Sequence, residues 1–342
     1  MNKILLLRTQ LVNVGNGFIE KGAKACIKQV LPEADIIEVS GYSNHIKYLE
    51  RRSNLLFSMK NFYENFDPAG MINIPELIKD IDLAVLPGCV LDRWSMPKYV
   101  HILKKLRQRN IPLIILGGGG NNYDKKTTEY VKKILNMLKP DALITRDHLA
   151  YKIYSQLTTI KNVYNGIDCA FFIKDWYVPP PSRKKFVILN FDKLKKIPNI
   201  ETNYPIIHVT HKPFDLLYLQ NPFTRVSLNI FGRIAEGIGY TEMNPPRFFK
   251  HKPFFVSDII EDYLFLYANA KEVHSDRVHA CVATLAYGNK AKLYYSTPRA
   301  TLFENVGCSE ITQKLVFLEE SKLQNKKRSV LNYLQEITAN II

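Results

Sequence analysis

The stretch Leu113–Thr145, LIILGGGGNNYDKKTTEYVKKILNMLKPDALIT, reads as one strand–helix–strand unit. Leu113–Leu116 is an apolar run of strand length, and four glycines end it. Asp124 is placed to open a helix, in which Tyr130, Ile134 and Leu138 recur at helical spacing. A second apolar run, Ala142–Thr145, follows. Strands apolar on both faces must be covered on both, which indicates a parallel sheet between helix layers.

The same alternation extends outward in both directions. Strands are expected at Ile4–Leu7, Ile36–Val39 and Leu83–Leu86 before it, and at Phe186–Leu189, Ile206–Val209, Glu272–His274 and Lys292–Tyr295 after it. Helical periods separate them: Ile19, Ala23 and Ile27, then Tyr99, Leu103 and Leu106 behind a start marked by Ser95 and Pro97. Three consecutive prolines in Asp175–Arg183, DWYVPPPSR, forbid helix and favour an extended linker. They divide the chain into residues 1–175 and 183–342. A length of 342 residues agrees, at roughly 150 residues per domain. Val330, Leu334, Ile337 and Ile341 have the spacing of a C-terminal helix that packs back on the body. The basic, aromatic stretch Asn44–Phe66 interrupts the alternation and reads as a helix on the first domain or a lid facing acceptor or membrane. The tetrapeptide HKPF at His211–Phe214 and His251–Phe254 is too short to mark a repeat.

Apolar residues make up 46% of the chain, enough for real cores. No apolar run approaches the ~20 residues of a membrane span, and Arg8 cuts the opening apolar run short of a signal peptide. The chain is therefore expected in the cytoplasm. Five scattered cysteines with no CxxC pair argue against a disulfide framework and a structural zinc. The net charge of +15, from 47 Lys and Arg against 32 Asp and Glu, suits phosphorylated substrates, polyanions or an acidic membrane face. Zinc-finger spacing and RNP-like strands are missing and the basic residues are dispersed, so nucleic acid is not the expected partner.

Ligands of open parallel sheets bind beyond the carboxyl ends of the strands. The first strand leads into Asn13-Val14-Gly15-Asn16-Gly17, where backbone N–H groups can approach an anion at a helix start. The loop is not GxGxxG, which disfavours a nicotinamide cofactor. Gly117–Gly120 suits a backbone that approaches a ligand or the facing domain, with Gly118, Gly119 and Gly120 as binding candidates. No Lys-Ser/Thr follows, so it is not a P-loop. Arg146-Asp147 ends another strand, as an internal ion pair or with the guanidinium aimed at the cleft. The richest site is Ser275-Asp276-Arg277-Val278-His279. Ser275 or Asp276 can cap a helix there and Gly288 can end it. Arg277 and His279 would sit in its first turn, where anions are favoured. His211 is a candidate second base, against the alternative of a surface histidine beside Lys212.

SDRVHACVATLAYGNKAKLYY, Ser275–Tyr295, resembles the C-terminal signature of the polysaccharide pyruvyl transferases, with Val278 in place of the usual leucine. The Asn13–Gly17 loop, the glycine run and Arg146-Asp147 resemble that family in the expected order, whereas Phe214–Lys250 matches nothing recognisable. The resemblance implies two facing Rossmann-like α/β domains of GT-B type, the C-terminal helix crossing back to the first. It implies phosphoenolpyruvate as donor, a sugar hydroxyl pair as acceptor, a pyruvate ketal as product and no obligatory cofactor or metal. A lipid-linked or a nucleotide-linked acceptor would fit, with peripheral contact at the inner membrane face. The resemblance carries over Arg277 and His279 as donor-binding or catalytic residues; Asn13, Gly15, Asn16, Arg146 and Ser275 join the substrate-binding candidates. A nucleotide-sugar glycosyltransferase and a non-catalytic binding protein on the same fold are the rival readings.

Overall fold

The computed structural model describes residues 2–8, 13–41, 74–194, 197–211 and 254–342. The stretch Asn44–Phe66, the tract Phe214–Lys250, and both HKPF tetrapeptides apart from His211 and Phe254 lie outside the described residues. Two parallel sheets organise the chain. The first contains β1 (Lys3–Arg8), β2 (Asp35–Ser40), β3 (Leu83–Pro87), β4 (Leu113–Gly118), β5 (Ala142–Thr145) and β6 (Asn162–Asn165), in the order β2-β1-β3-β4-β5-β6. The second contains β7 (Val187–Asn190), β8 (Ile206–Val209), β9 (Phe254–Phe255), β10 (Glu272–Ser275) and β11 (Lys290–Leu293), in the order β11-β10-β7-β8-β9. Both orders reverse direction beside their first strand, and such a switch point opens a crevice at the carboxyl edge.

The helices follow the expected periods. α1 (Val14–Val30) comes after β1, α2 (Met96–Gln108) after β3 and α3 (Lys125–Leu138) after β4. Asp124 caps α3 by accepting from Thr127 N at 2.8 Å. Asp147 caps α4 (His148–Tyr154) through Ala150 N at 2.8 Å. In the second unit α5 (Ile260–Asn269) precedes β10, and α6 (Val278–Ala286) links β10 to β11. Gly288 takes φ +81° just past α6, the left-handed turn that suits glycine at a helix end.

One face of the first sheet buries Leu5, Ala84, Ile115 and Leu143 against α2, α3 and α4. The opposite face shares a core with the second unit, joining Ile4, Leu6 and Phe18 to Val273, Ala280 and Leu285. The linking segment 169–172 runs beneath α1, and Gly22 makes that approach possible, since a Cβ there would collide with the Cys169 carbonyl. The C-terminal helix α7 (Glu320–Ile341) crosses back to the first sheet. It buries Val330, Leu334 and Ile337, each contributing about 1.5–3 kcal/mol by removal from water. Tyr333 stacks on Tyr164 at 4.4 Å between ring centroids, and buried Lys327 pairs with Asp175 at 2.9 Å. Among the described residues no helix is long and apolar enough to cross a membrane.

Candidate active site

The carboxyl ends of both sheets supply one connected chain of polar side chains. Arg146 leaves β5 fully buried. Its Nη1 reaches Asp168 Oδ2 at 3.3 Å and its Nη2 donates to the Gly120 carbonyl at 2.9 Å. Cys89 Sγ lies 3.3 Å from the same Nη2. Asp168, just past β6, caps the segment 169–172 with Oδ1, accepting from Ala170 N at 2.9 Å. Its Oδ2 also meets His279 Nε2 at 3.4 Å. On the other side of the imidazole, Arg299 Nη2 lies 3.3 Å from His279 Nδ1. Residues from both halves of the chain thus meet through one carboxylate.

The environment sets the charges. Burial pushes His279 below the usual histidine range, outweighing the opposite pull of Asp168, so the ring is neutral near pH 7. Burial alone would raise the Asp168 carboxyl, but the hydrogen bond from His279 and the charge of Arg146 beside it hold it well below the usual carboxylate range. Arg299, half-buried, is pushed down by burial and by the charges of Arg146 and Arg277, against the pull of Asp168. Arg146 has Asp168 and Asp147 as counter-ions and Arg277 has Asp192. Among the described residues Arg299 has no carboxylate within salt-bridge distance, and its Nε is buried without a partner there.

A second cluster adjoins the first. Asp192 follows β7, and its Oδ2 accepts from Arg277 Nε at 2.6 Å and from His211 N at 3.1 Å. Asp276 turns away from α6 to accept three backbone N–H groups, of Asp192, Lys193 and Leu194, at 2.6–3.0 Å, which fixes that loop. His211 is only 2% exposed, which rules out a surface histidine. Its Nε2 lies 2.6 Å from Tyr267 Oη, and its Nδ1 is buried without a partner among the described residues. Burial brings its pKa to about 3, so it stays neutral.

Several sequence expectations need correction. Neither Ser275 nor Asp276 caps α6: the N-cap is Arg277 and receives no side-chain cap. Ser275 instead bonds the Asn190 carbonyl at 2.9 Å and accepts from Arg277 N at 2.8 Å, a buried strut between strands. The glycine run packs closely against the protein's own groups. A Cβ at Gly119 would overlap Arg146, one at Gly120 the Leu91 carbonyl, and one at Gly118 the Ile115 and Leu143 side chains. Arg146 is an internal ion-pair residue. Asn13 caps α1, accepting from Gly15 N at 3.3 Å, and donates to Asn16 Oδ1 at 3.3 Å. Gly15 faces the second unit directly, since a Cβ there would lie 3.0 Å from His279 Nδ1. Asp168, Asp192 and Arg299 are the residues the motif reading missed. A small pocket lined by Asn16, Glu20, Cys89, Ser95 and Tyr99 opens where β1 and β3 diverge, beside Cys89 and thus beside Arg146.

A buried neutral imidazole between a carboxylate and a spare guanidinium can accept a proton while the cations hold an anion. The fold is α/β of GT-B-like type, with two parallel sheets. The structure aligns with S. aureus MnaA bound to UDP at TM-score 0.52, 14% identity, over 98% of this chain and 91% of that one. It also aligns with a putative UDP-N-acetylglucosamine 2-epimerase from Listeria monocytogenes at TM-score 0.53, 11% identity, over 99% and 91%. The comparison with curated proteins gives no match. The family model for polysaccharide pyruvyl transferases matches residues 13–289, and the chain belongs to that family. Arg299 lies beyond the matched stretch.

Proposed function

We propose that this protein transfers a pyruvyl group from phosphoenolpyruvate to two hydroxyls of a sugar in a glycan or its precursor, closing a ketal and releasing phosphate. The observation that carries this reading is Arg299, a half-buried guanidinium with no carboxylate partner among the described residues, next to Arg277 and a neutral His279. Phosphoenolpyruvate is a small, highly charged anion, and guanidinium forks match both its phosphate and its carboxylate. Family membership supports a transferase. In this scheme Arg299 and Arg277 hold the donor and His279 exchanges protons. Arg146 acts from within by fixing Asp168. His211, neutral and hydrogen-bonded to Tyr267, shapes the wall behind Asp192.

C3 of the donor gains a proton, C2 becomes electrophilic, and one sugar hydroxyl bonds to it. Phosphate then departs with its electron pair, and the second hydroxyl closes the ring. Two hydroxyl protons are released and two are consumed, one at C3 and one on phosphate. The pocket beside Cys89 and Tyr99 is the acceptor side. The charge of +15 favours acceptors that are lipid-linked at an acidic membrane face or nucleotide-linked.

The test measures phosphate release from phosphoenolpyruvate against a panel of glycosides and lipid-linked sugars, with mass spectrometry of the acceptor. Pyruvylated product supports the reading. A protein that ignores phosphoenolpyruvate in calorimetry and binds a nucleotide-sugar is a glycosyltransferase instead, and one that binds without turnover is a binding protein.

A further inference from the structure

The neighbours of His279 decide which of its nitrogens can exchange a proton. Nε2 lies 3.4 Å from Asp168 Oδ2, and Nδ1 lies 3.3 Å from Arg299 Nη2. An ionised carboxylate only accepts hydrogen bonds and a guanidinium only donates them. A neutral ring satisfies both neighbours in one way, with its hydrogen on Nε2 and its lone pair on Nδ1. The other tautomer sets two donors face to face at Arg299 and two lone pairs at Asp168. We propose that Asp168 is the positioning residue that locks His279 in the Nε2–H form, so that Nδ1 is the nitrogen that takes the proton from the attacking hydroxyl.

Two further observations support this assignment. Asp168 cannot turn away: Oδ1 is held by Ala170 N at 2.9 Å, and Arg146, itself anchored on the Gly120 carbonyl at 2.9 Å, holds Oδ2. On the opposite side, the start of α1 closes on the ring, since a Cβ at Gly15 would sit 3.0 Å from both Cβ and Nδ1 of His279, and this packing holds the imidazole in place. Asp168 and His279 are 111 residues apart, so the lock exists only where the two sheet units meet. The charged groups around the ring are Asp168, Arg299 and Arg146. When Arg299 turns to an anionic donor, it releases the Nδ1 lone pair. As the hydroxyl oxygen bonds to C2, its O–H bond breaks, the proton passes to Nδ1, and Asp168 stabilises the resulting imidazolium. His279 then returns the proton to the departing phosphate.

The chemistry of this step rests on the pyruvyl transfer reading, but the tautomer is a property of the free protein. The first experiment records ring-nitrogen NMR of the full chain with 15N-labelled histidine, the His279 signals being assigned by their loss in His279→Gln. The expected spectrum has a pyridine-type Nδ1 and a pyrrole-type Nε2. A pyrrole-type Nδ1 in the wild-type protein overturns the proposal without any variant having to fold. The second experiment uses Asp168→Asn, which is expected to mix the tautomers and to lower kcat roughly 10²–10⁴-fold, with KM for phosphoenolpyruvate little changed. An Asp168→Asn variant that keeps both the tautomer and the rate also overturns it. The expected spectra together with no turnover of phosphoenolpyruvate uphold the lock and overturn the donor assignment.

Discussion

Replacing Arg299 by alanine separates a donor-binding role from a structural one, because the first predicts a loss of affinity and the second a loss of stability. Among the described residues the guanidinium makes one hydrogen bond, to His279 Nδ1, and its Nε is buried without a partner. It stands close enough to Arg146 and Arg277 for both to oppose its charge. Losing the hydrogen bond costs about 0.5–1.5 kcal/mol, and removing a poorly compensated buried charge offsets much of that. Stability should therefore change by only about 1 kcal/mol, well short of the several kcal/mol that the loss of a structural buried group costs. Binding should respond far more. Hydrogen bonds to a charged group contribute about 1.5–3 kcal/mol, so phosphoenolpyruvate affinity should fall roughly 10- to 150-fold. Urea denaturation and titration calorimetry on one preparation give both numbers. An alanine variant that is several kcal/mol less stable yet binds phosphoenolpyruvate normally refutes the role given to Arg299.

Other perturbations test neighbouring parts of the argument. Gly15→Ala should lower both turnover and the melting temperature, because the new methyl would sit 3.0 Å from Cβ and Nδ1 of the buried His279 and must displace the ring; an unchanged rate removes Gly15 from the site. Gly22→Ala should destabilise by at least ~1–3 kcal/mol in urea, because the methyl meets the Cys169 carbonyl, a backbone group that cannot turn aside. His211 has a folded pKa of about 3 against 6.5 when free, so the unfolded chain binds the extra proton between these values. Its contribution to stability is complete above pH 6.5 and is lost on acidification toward pH 3, at roughly 1.4 kcal/mol per pH unit. Denaturation midpoints measured across that window should flatten in His211→Asn.

The alternation of strands and helices was legible because the central strands are buried on both faces. β3, β4 and β5 are apolar runs with every residue buried. The missed strands lack that property. β6 is Asn-Val-Tyr-Asn, half-buried at the sheet edge, and β9 is only two residues long. The last strand is Lys290–Leu293, two residues earlier than the expected Lys292–Tyr295. Tyr294 and Tyr295 continue its apolar pattern, yet Tyr294 N already bonds Ser275 O at 2.7 Å as the chain leaves the sheet. In both halves a local pattern reports burial well and pairing poorly.

The site was only partly legible, and for a different reason. His279 and Arg277 stand in a short motif at a strand end, where local rules apply. Asp168 reads locally as the cap of a helical turn, and it is one, through Ala170 N. Its second role depends on Arg146 and His279, which lie 22 and 111 residues away. The glycine run reads as room for a ligand, but glycine makes room equally for a neighbouring side chain, and Arg146 fills it. Arg299 follows the last strand by several residues, in a stretch of short turns with no motif around it. What marks Arg299 is the lack of a carboxylate partner among the described residues beside two other guanidinium groups, a relation between residues far apart in the chain. Arginines paired with carboxylates, such as Arg146, hold the architecture, and a partly buried guanidinium without such a partner among the described residues, as at Arg299, is where an anionic substrate gains by binding.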